Sequence, residues 1–175
     1  MYQMKPVAMS WVLLTLALAA AANGQQIKNK IDTSKSAVIL PFETSVKGAV
    51  GLPDATRTAV IQFLKDEGLF SALLTPEEAK DKDKAALVEI SAKLVDFAAG
   101  NMATRAIVGL GAGRAHAGFD FTVKDAATGT ILWQGQIKET ASFWSNAASS
   151  VSQRAELPEK IAKSLLKELK KAKVK

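Results

Sequence analysis

The chain has 175 residues, a length that suits a single domain built around one core. Hydrophobic residues make up 48% of it, which is enough for such a core, and the absence of cysteine excludes a disulfide scaffold, a thiolate metal site and a cysteine nucleophile. The formal net charge is +6, but the lysines gather near the C-terminus without interleaved aromatic residues and arginines, so we expect no nucleic-acid partner.

The first 24 residues predict a cleavable secretory signal peptide. Lys5 is the only charged side chain before an uncharged apolar run over residues 7–22. The small residues Ala22 and Gly24 then fit the positions before a cleavage site. An uncleaved membrane anchor is the alternative, but this run is shorter than the roughly 20 residues that span a bilayer. Because no cysteine could carry a lipid, we expect a periplasmic or secreted protein without a stable membrane anchor.

Residues 25–35 are polar and have no periodicity, which predicts a flexible leader. A single α/β domain is expected over residues 36–172, followed by a short basic tail, residues 173–175. The domain opens with an apolar run rich in branched residues, which predicts a buried strand over residues 36–42. Pro41 indicates that this strand ends there or lies at a sheet edge.

A helix follows the first strand. Pro53 fits its first turn and Gly68 follows its end, which are typical start and stop signals. Residues 69–75 predict a second short strand. Thr75 and Glu78 then have the spacing of a capping box, which predicts a short helical turn.

Three antiparallel strands are expected next, because apolar and polar residues alternate over residues 86–97, 115–124 and 130–144. The last two strands form a hairpin, whose turn runs from Asp125 to Gly129. The chain ends in an amphipathic helix with apolar residues at every fourth position, which are Ile161, Leu165 and Leu169.

These elements predict an α/β (α+β) two-layer sandwich. Its mixed sheet has about five strands, in the order β-α-β-(short α)-β-β-β-α, and the helices pack on that sheet.

The stretch GLGAGRAHAGFDF places Gly109, Gly111 and Gly113 at every second position. A phosphate-binding or dinucleotide-binding loop needs a helix after its glycines, so that backbone amides meet the phosphates. Here an alternating strand follows instead. We therefore expect these glycines to shape the entry of the chain into the strand, and we expect no cofactor.

His116 is the only histidine, and alternation places it on the polar face of its strand with Asp120 and near Arg114. No second histidine or cysteine is present to complete a metal site, and no serine lies in a nucleophile-elbow context. An ordinary exposed histidine is the favoured interpretation. A hydrolase that uses His116 and Asp120 is retained as an alternative.

Two tryptophans lie on opposite alternations of the last strand. Trp133 is expected in the core. Trp144 falls near the strand end on the other alternation, where an exposed aromatic side chain can anchor a partner.

The segment RAIVGLGAGRAHAGFDFTVKDAATGTIL combines the glycine-spaced entry, the alternating strand, the D-x-x-T-G turn and the returning strand. It resembles the bacterial family called domain of unknown function 4410, and the similarity covers residues 36–169. The resemblance implies an exported, often lipid-anchored envelope protein without assigned catalysis. The element order is also similar to that of the curli-secretion lipoprotein, the penicillin-binding-protein activator lipoproteins and the N-terminal domain of the Tol-system propeller protein, which bind other envelope proteins or assemble. This chain departs from the family pattern because it lacks the cysteine that carries the lipid.

The sequence therefore predicts an exported, non-enzymatic envelope protein that acts as a protein-binding or assembly module. Its partner is expected to be another envelope protein or a second copy. It would bind through an exposed sheet edge, which can accept a partner strand, or through the candidate contacts Trp144, Arg114 and His116. The alternative is a basic binder of anionic lipid or polymer. It would use the lysines of the C-terminal end, which are Lys160, Lys163, Lys167, Lys170, Lys171, Lys173 and Lys175.

Overall fold

The computed structural model describes residues 30–100, 113–142 and 150–173, with side chains from Arg154 onward in the last range. The predicted signal peptide, Gly109, Gly111 and Trp144 therefore lie outside the described residues, as do residues 25–29 and 174–175.

The described residues form six strands, three α-helices and one turn of 3-10 helix. In chain order these are β1 (Ser36–Ile39), β2 (Glu43–Thr44), α1 (Leu52–Asp66), β3 (Leu73–Leu74), α2 (Pro76–Ala79), the 3-10 turn (Lys84–Ala86), β4 (Leu87–Ala98), β5 (His116–Asp125), β6 (Ile131–Thr140) and α3 (Ser150–Ala172). The order confirms the predicted α/β sandwich, but the first strand ends at Ile39, earlier than predicted, and β2 is an additional strand beyond the predicted range of residues 36–42.

The strands form one mixed sheet in the order β3-β1-β4-β5-β6. β1 is parallel to both β3 and β4, and β2 continues along the same side of β4, where Glu43 lies opposite Lys93. β4, β5 and β6 are antiparallel, and β5 and β6 form the predicted hairpin. The mixed sheet therefore combines a parallel half with an antiparallel half that ends at β6.

The pairing along β4 is interrupted between β1 and β2. Pro41 lies in this interruption and has no N–H to donate to a sheet ladder. The carbonyls that precede the break are bound by Arg57 of α1. Its Nη2 donates to the Ile39 carbonyl at 2.8 Å, and its Nε donates to the Leu40 carbonyl at 3.1 Å. Phe42 then turns into the core before β2 begins. The predicted end of the strand at Pro41 is thus held by a side chain of α1.

α1 and α3 pack side by side on one face of the sheet, which we call the inner face. The predicted apolar stripe of α3 is buried, and so is Trp133, as the sequence predicted. Phe42 and Phe121 meet edge to face, with 5.6 Å between their ring centroids. The largest side chains of this single core are Trp133, Phe119, Phe121, Ile39, Leu64, Ile90, Leu94, Ile161, Leu165 and Leu169.

Residues 30–35 were expected to belong to a flexible leader, but Ile31 and Lys35 in this stretch contact the domain. Ile31 is fully buried in the core, and its N–H donates to the Ala172 carbonyl at 2.9 Å. Ile31 also forms a parallel bridge with Lys173. The domain therefore begins earlier than predicted, because a single apolar residue in a polar segment has no periodicity that would reveal its burial.

Candidate functional site

The sheet has a polar face opposite the two long helices, which we call the outer face. Its side chains alternate with those of the core, as successive residues of a strand do. All of them are half-buried or exposed. The outer face is formed by Ser91, Lys93, Asp96, His116, Asp120, Thr122, Gln134, Gln136 and Lys138.

Asp96 reaches the outer face through a β-bulge. The register between β4 and β5 shifts between Leu94 and Asp96, and this shift inverts the alternation of β4. Asp96 then lies opposite Gly118, while Phe97 packs against the core. Strict alternation would turn this carboxylate inward with Leu94, which is why the sequence did not reveal it. A charged residue at an inward position is the one signal that indicates such a bulge.

Asp96 of β4 joins one side chain from β5 and one from β6. Its Oδ2 lies 2.5 Å from Lys138 Nζ on β6, and its Oδ1 lies 3.4 Å from His116 Nε2 on β5. Gly118 separates Asp96 from Lys138 in the sheet, and a Cβ atom there would lie 3.3 Å from the Asp96 Cβ and 3.9 Å from the Lys138 Cβ. The missing side chain of Gly118 therefore lets Asp96 and Lys138 meet across β5.

The hydrogen bond from Lys138 holds the pKa of Asp96 below its usual range, and the charge of His116 lowers that pKa further. The Asp96 side chain is 39% exposed and that of Lys138 is 55% exposed. Water screens charges at this exposure, so the ion pair contributes little to the free energy of unfolding. Its effect is to fix the direction in which Lys138 points.

The structure places His116 beside Asp96 and does not bring it to Asp120. His116 and Asp120 lie on one face of β5, but they are four positions apart, which is about 13 Å along a strand. Asp120 instead accepts a hydrogen bond from Gln136 Nε2 at 2.8 Å. Over residues 30–100, 113–142 and 150–173, no three side chains of the metal-binding types come together.

Arg114 precedes β5. It lies at the end of the sheet where β5 begins and β6 ends, opposite the hairpin turn. It is half-buried and lines, with His116, Thr140 and the small residues around Gly113, a cavity of about 410 Å³. Gly113 has a φ of 72°, in the left-handed region that favours glycine. Two of the three predicted contacts, Arg114 and His116, therefore border one cavity.

The hairpin turn is organised by Asp125. Its Oδ1 accepts hydrogen bonds from the N–H groups of Ala127 and Thr128, at 3.1 and 3.0 Å, and Gly129 closes the turn with a φ of 68°. Lys35 Nζ lies 2.7 Å from Asp125 Oδ2. The bond from Lys35, followed by those from Thr128, lowers the pKa of Asp125 to about 2. This turn is a structural feature at the opposite end of the hairpin from His116.

β6 is the last strand of the sheet, and within the described residues it pairs on one side only, with β5. The Ala141 N–H donates to the Ala115 carbonyl at 2.9 Å. Hydrogen-bonded and non-bonded pairs alternate in an antiparallel ladder, so every second residue before Ala141 bonds to β5. The backbone groups of Gly135 and Ile137 therefore bond to β5, while those of the residues between and beside them point away from it. We call the outward backbone groups of Gln134, Gln136 and Lys138 the β6 edge.

The β6 edge stops at Thr140, because α3 reaches the strand there. Lys160 Nζ donates to the Thr140 carbonyl at 2.8 Å and lies 3.2 Å from Glu156 Oε1. The N–H of Ser142 donates to Glu156 Oε2 at 3.0 Å. These contacts cover the end of the strand, and among the described residues they leave the β6 edge without a paired strand.

Lys160, Lys163, Lys170 and Lys171 of α3 have carboxylate neighbours. Lys163 lies 2.6 Å from Glu159, Lys170 lies 2.5 Å from Glu67 of the α1 end, and Lys171 lies 2.5 Å from Glu168. Pairs of this kind compensate much of the positive charge locally. The contacts therefore give no support to a lysine surface dedicated to an anionic lipid or polymer.

Comparison with known proteins identifies a family and a fold. A family model described as a domain of unknown function, DUF4410, matches residues 21–147. A search of curated proteins gave no match.

Among solved structures, the PelC dodecamer from Paraburkholderia phytofirmans is similar, with 14% identity, a TM-score of 0.54, and coverage of 81% of this chain and 93% of that chain. A DUF330 protein from Xanthomonas campestris has 10% identity, a TM-score of 0.50, and coverage of 81% and 84%. A hypothetical protein from Chlamydia trachomatis has 9% identity, a TM-score of 0.53, and coverage of 79% and 97%. At these identities the similarity is one of fold.

Proposed function

Since the chain belongs to the DUF4410 family, whose function is unknown, we propose from its structure that it is an exported, non-enzymatic envelope protein that binds another protein or assembles with itself. The observation that carries this proposal is the β6 edge. Three residues there present backbone donors and acceptors that no described strand pairs. Such an edge accepts a strand from a partner, and main-chain hydrogen bonds then supply affinity.

Self-assembly has support from a protein of the same fold. PelC from Paraburkholderia phytofirmans is a dodecamer. Its sequence identity to this chain is 14%, so the comparison shows a similar fold and gives no information about which surface would form an interface. We retain both a second copy and another envelope protein as partners for the assembly function.

Export rests on the predicted signal peptide. Within the described part of the chain, no helix combines the length and the apolarity needed to cross a bilayer. We propose that the exported domain is periplasmic or secreted and meets its partner there. A non-enzymatic role agrees with the separate surroundings of His116 and Asp120, which a hydrolase would have to bring together.

Site-specific photocrosslinking in cells tests this function. A photoreactive phenylalanine analogue at Gln136 should give a discrete crosslinked product, because a partner strand would lie within reach of that side chain. The matched control is the same analogue at the exposed Asp81, which lies after α2 and away from β6. A product at Gln136 and none at Asp81 supports the proposal. Equal products at both positions, or none at either in a folded protein, would contradict it.

A further inference from the structure

Edge strands of soluble proteins are commonly protected by a lysine that projects past the edge and repels another strand. β6 carries one lysine among its edge residues, Lys138, but this side chain is turned back over its own sheet. Its Nζ reaches Asp96 on β4, two strands inward, by passing over Gly118. The remaining edge residues, Gln134 and Gln136, are uncharged. The β6 edge therefore lacks the charge that would keep a second copy away.

The accessible part of the edge also restricts how a second copy could pair. The residues that point outward are Gln134, Gln136 and Lys138, and Lys160 already occupies the Thr140 carbonyl. An antiparallel pairing with a twofold axis at Gln136 uses all three, because Gln136 then faces its own copy and Gln134 faces Lys138 of the partner. A shift of the axis by one residue toward either end loses one of these pairs.

This register also suits the side chains on both faces. On the outer face, Gln134 lies opposite the partner's Lys138, so no two like charges are opposed. On the inner face, Gly135 lies opposite the partner's Ile137. Gly135 has no side chain to occupy that position, and a branched residue packs well across a strand pair. The β6 edge is therefore self-complementary in charge and in shape.

We propose that the occupant of the β6 edge is a second copy of this chain, paired antiparallel through β6 about a twofold axis at Gln136. This proposal rests on the assembly function proposed above and names its partner. The two sheets become continuous, and the ion pair of Asp96 with Lys138 keeps the edge open to the second copy. An isologous contact of this kind closes on itself as a dimer.

Opposite charges introduced at Gln134 test the register. Gln134→Glu places a carboxylate opposite the partner's Lys138 and should tighten the dimer, whereas Gln134→Lys opposes two ammonium groups and should weaken it by about tenfold or more. Sedimentation equilibrium of the folded chain gives both dissociation constants. Thr122→Glu and Thr122→Lys are the matched controls, because Thr122 lies on β5, one strand inside the edge, directly opposite Gln134. Their effects should be small.

The proposal is overturned if the wild-type chain is monomeric at all concentrations. It is also overturned if both Gln134 variants shift the dissociation constant in the same direction, or by no more than the Thr122 controls do.

A covalent test does not depend on affinity. The sequence contains no cysteine, so Gln136→Cys introduces a single thiol. The Cα atoms of a hydrogen-bonded antiparallel pair lie about 5.5 Å apart, within the range that a disulfide spans. Gln136→Cys should therefore crosslink to itself on mild oxidation. Gln134→Cys should crosslink to Lys138→Cys in a mixture and much less to itself.

The two proposals can fail separately. If Gln136→Cys does not crosslink to itself, while photocrosslinking at Gln136 captures a different protein, then self-pairing is wrong and the binding function stands. If neither experiment gives a product in a folded protein, both proposals are wrong.

Discussion

Asp125 is the residue that ties the hairpin turn to the start of the domain. It accepts two backbone hydrogen bonds within its own turn and pairs with Lys35, which directly precedes β1. The sequence predicted the turn, because D-x-x-T-G is a local pattern. It did not predict the contact with Lys35, since 90 residues separate the two in the chain. Local patterns show which residues shape a turn, but they carry no information about distant partners.

The pKa of Asp125 should respond to the removal of Lys35. Lys35→Met should raise this pKa from about 2 toward its ordinary value of 3.8, because the hydrogen bond from Lys35 is the largest cause of the lowered pKa. The folded-state pKa of Asp125 lies below the ordinary value. The ionised carboxylate therefore stabilises the folded state above about pH 4, and this stabilisation is lost as the pH falls through about 2. A ¹³C NMR titration of the side-chain carboxyl groups measures the pKa directly.

Lys82→Met is the control, since Lys82 is exposed and lies in the loop after α2. It should leave the pKa of Asp125 unchanged. A wild-type Asp125 that titrates near 3.8, or an equal shift in both variants, would contradict this account of the turn.

Among the elements, β1 and α1 depend on one another through Arg57. The side chain donates hydrogen bonds to the Ile39 and Leu40 carbonyls, just before Pro41, which has no N–H to continue the pairing of the strand. The sequence showed Pro41 and the helix, so the end of the strand was predicted. The role of Arg57 was not, because it depends on how the helix lies against the sheet.

Arg57→Ala should lower the free energy of unfolding by about 2 kcal/mol, the usual magnitude for hydrogen bonds made by a charged group. Arg57→Lys should recover part of this loss, since one ammonium group cannot reproduce the two-point contact of a guanidinium. Urea denaturation followed by circular dichroism measures both changes. Lys65→Ala, at an exposed position near the end of the same helix, should change the free energy of unfolding much less. An Arg57→Ala protein as stable as the wild type would show that the hydrogen bonds from Arg57 do not stabilise the fold.

The predictability of each element follows its periodicity. α3 was predicted because its apolar residues recur over several turns, and β4 to β6 were predicted because their residues alternate. The alternation failed at the bulge that turns Asp96 outward and at a second register shift, where Ile131 of β6 pairs with Lys124 of β5. Ile31 was missed because its burial comes from contact between the two ends of the domain.

For the whole molecule, the decisive property is that the long helices pack on one face of the sheet. This arrangement leaves the outer face polar, and the strand order makes β6 an edge strand. The sheet order is set by long-range pairing, with β1 between β3 and β4, so no local pattern could reveal which strand lies at the edge. The sequence predicted binding through an exposed sheet edge or through the contacts Trp144, Arg114 and His116, but it could not tell that β6 is such an edge. Of those three, Trp144 lies outside the described residues.

Amide hydrogen exchange along β6, measured by NMR at increasing protein concentrations, tests self-association through this edge most directly. The amides of Gly135 and Ile137 bond to β5 and should exchange slowly at every concentration, which makes them an internal control. The amides of Gln134, Gln136 and Lys138 should exchange rapidly in dilute solution and become protected as the concentration rises. Rapid exchange of these three amides at every concentration, with Gly135 and Ile137 still protected, would contradict the account.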